Sequence, residues 1–167
     1  SNSSAPQKQG WHPAWLALLS SLWLSSAGNI ALWSQVHQLP EVSGLRGFAF
    51  AIGFGAIITA AISAILSFLN WRWLLKPAIA VFFLSAASGA YFMMSYGIVI
   101  DSTMITNVIQ TDTKEALDLL NWRMLISFGL LGILPSWVLW KMPIKSLRFG
   151  QQLLGNLLMA VLSMAVI

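Results

Sequence analysis

Five long apolar runs divide the sequence, at about residues 13–33, 47–69, 77–99, 124–140 and 150–167. Each run is close to the ~20 residues that a helix needs to cross ~30 Å of hydrocarbon. We expect helices because open strands or loops would leave backbone N–H and C=O groups without partners in lipid. The pattern predicts an all-α membrane protein, in which a bundle of five transmembrane helices (residues 13–167) follows a polar N-terminal segment (residues 1–12).

The composition excludes an ordinary soluble domain. Hydrophobic residues make up 57% of the chain and charged residues only 8%, whereas soluble proteins carry roughly 25% charged residues. Nine tryptophans against two tyrosines favour a membrane protein, because indole rings prefer the interface between water and hydrocarbon. The net charge of +4 does not predict nucleic-acid binding, since the basic residues are scattered in twos and threes rather than gathered in a stripe. The absence of cysteine excludes disulfides and thiolate metal sites.

The basic residues predict the orientation of the bundle. If the N-terminus is cytoplasmic and the connections alternate, the cytoplasmic segments contain Lys8, Arg72, Lys76, Lys141, Lys145 and Arg148. The external segments then contain only Arg46, Lys114 and Arg123, together with all five acidic residues. Because cytoplasmic loops are rich in Lys and Arg, we expect a cytoplasmic N-terminus and an external C-terminus.

One polar stretch separates the third and fourth runs. It contains four of the five acidic residues within DSTMITNVIQTDTKEALD, residues 101–118. Apolar residues recur there at helical spacing, and Asn107, Thr111 and Glu115 follow each other four residues apart on an adjacent face. This predicts an amphipathic helix over about residues 102–120 that lies in the membrane interface with its polar stripe towards water.

Two functions fit that polar stripe. It could be the solvated face of a helix that only joins two spans, which is common for charged runs. It could also bind a lipid headgroup, with the carboxylate of Glu115 binding an ammonium group and the side chains of Asn107 and Thr111 bonding phosphate or ester oxygens. The spacing of the residues does not decide between them.

Residues in and around the polar stretch carry a family resemblance. They are Tyr96-Gly97, Asp101, Met104, Asn107, Gln110-Thr111 and Glu115-Ala116, with Leu-Lys-Pro at 75–77, Asn-Ile-Ala at 29–31 and Gly-x-Leu-Pro at 132–135. Together they resemble the membrane domain of the lipid A phosphoethanolamine transferases, the inner-membrane family that includes the polymyxin- and colistin-resistance enzymes. The similarity covers the chain from Trp15 onward and is specific around the polar stretch, where Lys114 departs from the family pattern.

The resemblance implies an architecture and an activity. Such enzymes join five transmembrane helices and interfacial periplasmic helices to a periplasmic, alkaline-phosphatase-like catalytic domain that carries zinc and a threonine nucleophile. The threonine takes phosphoethanolamine from phosphatidylethanolamine and passes it to a phosphate of lipid A. By this resemblance, the chain lies in the bacterial inner membrane with its C-terminus in the periplasm. Its partners are the donor lipid, lipid A and its own catalytic domain.

The resemblance also assigns residues. Tyr96, Asn107, Thr111 and Glu115 stand where the family contacts its lipid substrate. No catalytic residue and no metal ligand is expected in this chain, whose only histidines are His12 and His37. Zinc is expected in the catalytic domain, which the chain lacks, so the chain alone should be inactive. The sequence ends at Ile167 within an apolar run, which predicts that the native protein continues on the external side.

Two other classes of function are alternatives. A transporter subunit would be expected to carry ionisable residues at mid-depth in its spans, and the five apolar runs contain essentially none. A membrane scaffold could use the polar stretch as a docking surface. Continuation of the native chain into a soluble zinc domain would separate the transferase from both.

Overall fold

The computed structural model describes residues 10–40, 42, 44–97 and 121–167. The helices are α1 (Pro13–Ser25), α2 (Ile30–His37), α3 (Gly44–Phe68), α4 (Leu75–Tyr96), α5 (Trp122–Ser127), α6 (Leu134–Lys141) and α7 (Phe149–Val166). A 3₁₀ turn, Ala27–Asn29, joins α1 to α2, and a π-helical segment, Phe128–Ile133, joins α5 to α6. Five helical stretches are long and apolar enough to cross a membrane, which confirms the predicted fold class.

The helices begin and end close to the predicted positions, with two differences. The first span continues to His37 instead of ending near residue 33. The third span, α4, ends at Tyr96 instead of residue 99, because Gly97 adopts a left-handed conformation with φ 63°. Its N–H donates to the carbonyl of Met93 at 3.0 Å, which closes the last turn of the helix. The predicted interfacial helix at 102–120 lies outside the described residues.

The first span occupies the centre of the bundle. Its α1 packs against both α3 and α4, α7 packs against α3, and the fourth span packs against α4. The core between these helices includes Leu16, Leu66, Leu75 and Ile79, each at most 1% exposed. The spans therefore lie side by side in the order five, two, one, three, four.

The two ends of the bundle differ in charge. One end, which we call the basic end, carries Arg72, Lys76, Lys141, Lys145 and Arg148. The other, called the opposite end, includes His37, Arg46, Gly97, Asn121 and Arg123. All five acidic residues of the sequence fall outside the described residues.

The first span is broken near its middle. The helix stops at Ser26, whose φ of −98° and ψ of −87° are not helical, and resumes at Ile30. A break in lipid must satisfy the freed carbonyl groups, and side chains do so here. The Asn29 amide donates to the carbonyl of Leu24 at 3.1 Å, and the Trp33 indole donates to the carbonyl of Ser25 at 2.6 Å.

The fourth span contains a second irregularity, caused by a proline. In a regular α-helix the carbonyl of Leu131 would accept from the N–H of residue 135, but Pro135 has none. The chain widens into a π turn in which the N–H of Leu134 reaches the carbonyl of Gly129, five residues back. The indole of Trp23 donates to the freed carbonyl of Leu131 at 3.5 Å. This contact ties the fourth span to the first across the bundle.

Small residues let α4 approach its neighbours. A Cβ added at Gly28 would lie 3.2 Å from the Cβ of Ala86, and one added at Gly132 would lie 3.4 Å from the Cβ of Ala87. Both alanines belong to a run of small residues in the third span, Ala-Ala-Ser-Gly-Ala at 86–90. Such positions allow helix backbones to come close in a membrane, so these two contacts set the spacing of the first, third and fourth spans.

Polar contacts close the basic end. The N–H of Trp11 donates to the carbonyl of Pro143 at 2.7 Å, and the N–H of Lys145 donates to the carbonyl of Trp11 at 3.0 Å. The ammonium group of Lys76 donates to the carbonyls of Trp140 and Met142 at 2.9 and 2.8 Å. The carbonyl of Trp140 is one that the C-terminus of α6 leaves free. Together these bonds hold the connection after α6 against the N-terminal segment and α4.

Candidate functional site

A long groove lies between α1, α3 and α7. Its volume is about 980 Å³, and it runs from His12 at the basic end to Trp33 and Val166 near the opposite end. Its walls are almost entirely apolar, with Leu18, Leu22 and Leu158 among the lining residues. The volume is near the upper limit of the ~300–1,000 Å³ range of ligand pockets, and the shape and chemistry suit an apolar chain.

Five hydroxyl-bearing residues interrupt the apolar surface of the groove: Ser25, Ser26, Thr59, Ser63 and Ser163. The Ser25 and Thr59 hydroxyls bond each other at 2.7 Å, and Thr59 also donates to the carbonyl of Gly55 at 2.7 Å. Ser63, one turn from Thr59, is only 3% exposed, and its Oγ has no hydrogen-bond partner among the described residues. A buried polar atom without a partner is uncommon and costly. Ser63 is therefore the buried hydroxyl of this surface that the described residues leave without a hydrogen-bond partner.

The predicted substrate residues are placed only in part. Tyr96 is the last residue of α4 and lies at the opposite end of the bundle. Asn107, Thr111 and Glu115 lie outside the described residues, so their proposed roles stay predictions. The side chain of Tyr96 is likewise not described.

The attachment points of the polar stretch are described. Gly97 ends α4, and Asn121 begins the fourth span by accepting the N–H of Met124 on its side-chain oxygen at 2.9 Å. That oxygen satisfies one of the free N–H groups at the start of the helix. Because α4 packs along the fourth span, both attachment points lie at the opposite end, away from the five basic residues of the basic end.

The described residues offer no metal site. No group of three or more His, Cys, Asp or Glu side chains lies together within ranges 10–40, 44–97 and 121–167. The two histidines are separated by the full length of the first span, with His12 preceding α1 and His37 ending α2. A catalytic zinc ion usually needs three protein ligands, so the side chains described here do not fit one.

A family model identifies the chain. The model described as phosphoethanolamine transferase EptA/EptB matches residues 58–167, which includes the C-terminal part of α3 and everything after it. The chain belongs to this family. The predicted recognition is thus confirmed, and neither the transporter nor the scaffold alternative is favoured.

Individual relatives agree with the family model. The chain is 33% identical over 153 residues to phosphoethanolamine transferase EptA of Escherichia coli (strain K12), and this match covers 89% of the chain and 28% of that relative. It is 31% identical over 150 residues to phosphatidylethanolamine transferase Mcr-1 of Escherichia coli, covering 88% of the chain and 27% of the relative. The chain therefore spans little more than a quarter of the length of these relatives.

A solved structure shares the fold. The integral membrane protein lipooligosaccharide phosphoethanolamine transferase A (EptA) from Neisseria meningitidis superposes with a TM-score of 0.79 at 20% identity. The match covers 90% of this chain and 28% of that one. The five-span bundle is thus the membrane-domain fold of EptA.

The groove was not predicted from the sequence, although the sequence indicates one of its walls. Thr59, Ser63 and Ser67 repeat at four-residue spacing inside an otherwise apolar helix, so they lie on one face. All three are buried in the bundle. A hydroxyl stripe of this kind indicates which face of α3 turns inward, but only the packing of α1 and α7 on that face makes a groove.

Proposed function

We propose that this chain is the membrane part of an enzyme that transfers phosphoethanolamine from phosphatidylethanolamine to lipid A. The family match over residues 58–167 carries the proposal. The names of the relatives support it, since EptA is named a phosphoethanolamine transferase and Mcr-1 a phosphatidylethanolamine transferase. In this proposal the chain anchors the enzyme and binds the donor lipid, while the chemical steps occur in a periplasmic domain beyond the matched region.

The donor headgroup binds at the opposite end of the bundle. Support comes from the attachment points of the polar stretch, because Gly97 and Asn121 both lie at that end. A phosphatidylethanolamine headgroup sits at the membrane surface, at the level where such an amphipathic segment is expected to lie. Tyr96, at the end of α4, would close the site from the side of the bundle.

Each proposed contact matches a group on the donor. The carboxylate of Glu115 accepts hydrogen bonds from the ethanolammonium group, and a bond between charged groups is stronger than a neutral one. Asn107 and Thr111, in line with Glu115 at four-residue spacing, donate to phosphate or ester oxygens. Held in this way, the headgroup presents its phosphorus atom to a nucleophile arriving from the water side.

The orientation follows from the charges. The basic end lies in the cytoplasm because five of the seven described basic residues are there. The opposite end and Val166 then face the periplasm of a bacterial inner membrane. This arrangement puts the donor site in the outer leaflet of that membrane, on the side from which lipid A is modified.

Zinc belongs to the proposed periplasmic domain. Since the described side chains do not fit a zinc site, no step of the proposal uses zinc held by this chain. Zinc supplied by the other domain would activate the nucleophile and stabilise charge on the phosphoryl oxygens. The contribution of this chain is binding and orientation of the donor.

The proposal is tested by removing one charge in the full-length enzyme. Glu115→Gln preserves the shape of the side chain and removes the carboxylate. Hydrogen bonds to charged groups contribute ~1.5–3 kcal/mol, and ~1.4 kcal/mol is one decade in rate. We therefore expect lipid A modification to fall at least about tenfold, measured by mass spectrometry of lipid A at matched membrane abundance.

Asp112→Asn is the matched control. Asp112 belongs to the same polar stretch but lies outside the line of Asn107, Thr111 and Glu115, so its substitution should change modification little. Parental modification by Glu115→Gln would mean that the polar stretch is only a connection between spans. No lipid A modification by the parent enzyme would reject the proposed activity itself.

A further inference from the structure

We infer that the groove between α1, α3 and α7 is a second lipid site, which holds one anionic phospholipid with its headgroup at the basic end. One acyl chain lies along the groove, an ester carbonyl accepts from the Ser63 hydroxyl, and the phosphate meets His12 and the cations near it. This site lies at the end of the bundle opposite to the proposed donor site. It would therefore bind a lipid that stabilises the bundle and is not consumed.

The shape of the groove fits an acyl chain. Its walls are mostly apolar, and the volume of about 980 Å³ follows the long direction of the bundle. Small residues form much of its floor, including Gly55, Ala56 and Ala60 on α3. Because α1 and α7 touch each other little while both pack on α3, the space between them is open to lipid.

Ser63 gives the site a polar contact at a defined depth. It lies five residues before Phe68, the last residue of α3 at the basic end. Because a helix rises 1.5 Å per residue, Ser63 is ~7–8 Å from that end of the helix. Its Oγ is buried without a partner, so it can donate a hydrogen bond. The ester carbonyls of a phospholipid lie just below its phosphate, at a depth that this hydroxyl can serve.

The mouth of the groove at the basic end suits a phosphate. The Nδ1 of His12 accepts the N–H of Ala14 at 3.3 Å, so the neutral ring carries its proton on Nε2 and can donate from that atom. Gly155 of α7 lies beside this ring, since a Cβ added there would be 3.9 Å from Cε1 of His12. The backbone of Lys145 is bonded to Trp11 beside it at 3.0 Å, and Arg148 precedes α7. An anionic lipid complements these charges.

The test measures retained lipid directly. The full-length protein is delipidated in detergent, titrated with phosphatidylglycerol or with phosphatidylcholine of the same chains, and examined by native mass spectrometry. We expect one phosphatidylglycerol to bind in preference to phosphatidylcholine. Ser63→Ala should weaken binding about three- to tenfold, the range set by loss of one hydrogen bond. Ala56→Phe should fill the groove and weaken binding about tenfold or more.

Two substitutions outside the groove are the controls. Ile57→Phe adds a ring to a lipid-exposed position of the same helix, and Ser88→Ala removes a hydroxyl from α4 that bonds the carbonyl of Leu84. Both should bind phosphatidylglycerol like the parent. Equal affinity for the two lipids, or parental binding by both Ser63→Ala and Ala56→Phe, overturns the inference. Because the readout is lipid bound rather than lipid A modified, neither result depends on the proposed transferase activity.

Discussion

Substitution of Asn156 tests what holds the fifth span to the bundle. Asn70, in the turn between α3 and α4, is 1% exposed, and its side-chain amide donates to Oδ1 of Asn156 at 2.9 Å. The amide of Gln152 reaches the same oxygen at 3.3 Å and also donates to the backbone carbonyl of Asn70. Three buried amides thus join α7 to the turn at the basic end.

The contacts set the size of the effect of Asn156→Ala. The Asn70 amide would lose its acceptor while buried, which costs ~1–3 kcal/mol, whereas Gln152 would keep its bond to the backbone of Asn70. Hydrogen bonds between membrane helices average ~0.6 kcal/mol and reach ~1.7 kcal/mol in double-mutant cycles. We therefore expect a loss of ~1–2 kcal/mol. At ~2–4 °C per kcal/mol for a chain of ~150–250 residues, the Tm should fall by ~2–8 °C.

The assay is thermal unfolding of the purified protein in one detergent, with Gln151→Ala as the control. Gln151 neighbours Gln152 but is exposed, so its Tm should stay within ~1 °C of the parent, since exposed substitutions usually cost less than ~0.5 kcal/mol. In the Asn70→Ala and Asn156→Ala double variant the losses should be less than additive, because the two side chains share one bond. An unchanged Tm for Asn156→Ala, or fully additive losses, would mean that the bond between Asn70 and Asn156 does not hold α7 to the turn.

Two further predictions address packing and topology. Gly28→Val places a Cβ 3.2 Å from the Cβ of Ala86 and should lower the Tm by at least ~2 °C, since overpacking costs ~1–3 kcal/mol. Gly53→Val is the control and should change the Tm little, because a Cβ added there meets nothing within 4 Å. Equal shifts in the two variants would mean that the contact between Gly28 and Ala86 is not tightly packed. The chain has no native cysteine, so single cysteines can be labelled selectively. An impermeant thiol reagent applied to intact cells should label Thr113→Cys and not Lys145→Cys. The reverse pattern would show that the bundle has the opposite orientation.

Much of the architecture could be predicted because it follows from solvation. Apolar runs of membrane length must form helices in lipid whatever their neighbours are, so the five spans could be located from composition alone. Helix ends were harder, since they depend on single residues. The third span, α4, ends at Tyr96 because Gly97 adopts a left-handed conformation. The apolar run continues past this glycine, so the end of the helix could not be predicted from the sequence.

The irregular segments depend on contacts between distant residues. Ser26 can leave the helix because Asn29 and Trp33 supply donors to the freed carbonyls, and Trp23 lies against the π turn that Pro135 imposes. Asn29 and Pro135 both belong to motifs that carried the family resemblance, and the structure gives each a backbone role. The groove could not be predicted, because it requires the relative positions of three helices that are far apart in sequence. The proposed headgroup residues came from the resemblance and not from spacing.

Direct crosslinking of the donor lipid tests where on this chain its headgroup binds. The full-length protein would be reconstituted with phosphatidylethanolamine that carries a photoactivatable group on its headgroup, irradiated, and mapped by peptide mass spectrometry. The account predicts label between residues 96 and 118, reduced in Glu115→Gln and unchanged in Asp112→Asn. Label concentrated on residues 69–76 or 141–148 at the basic end, with none between 96 and 118, would contradict the proposal that this chain presents the donor headgroup from the opposite end.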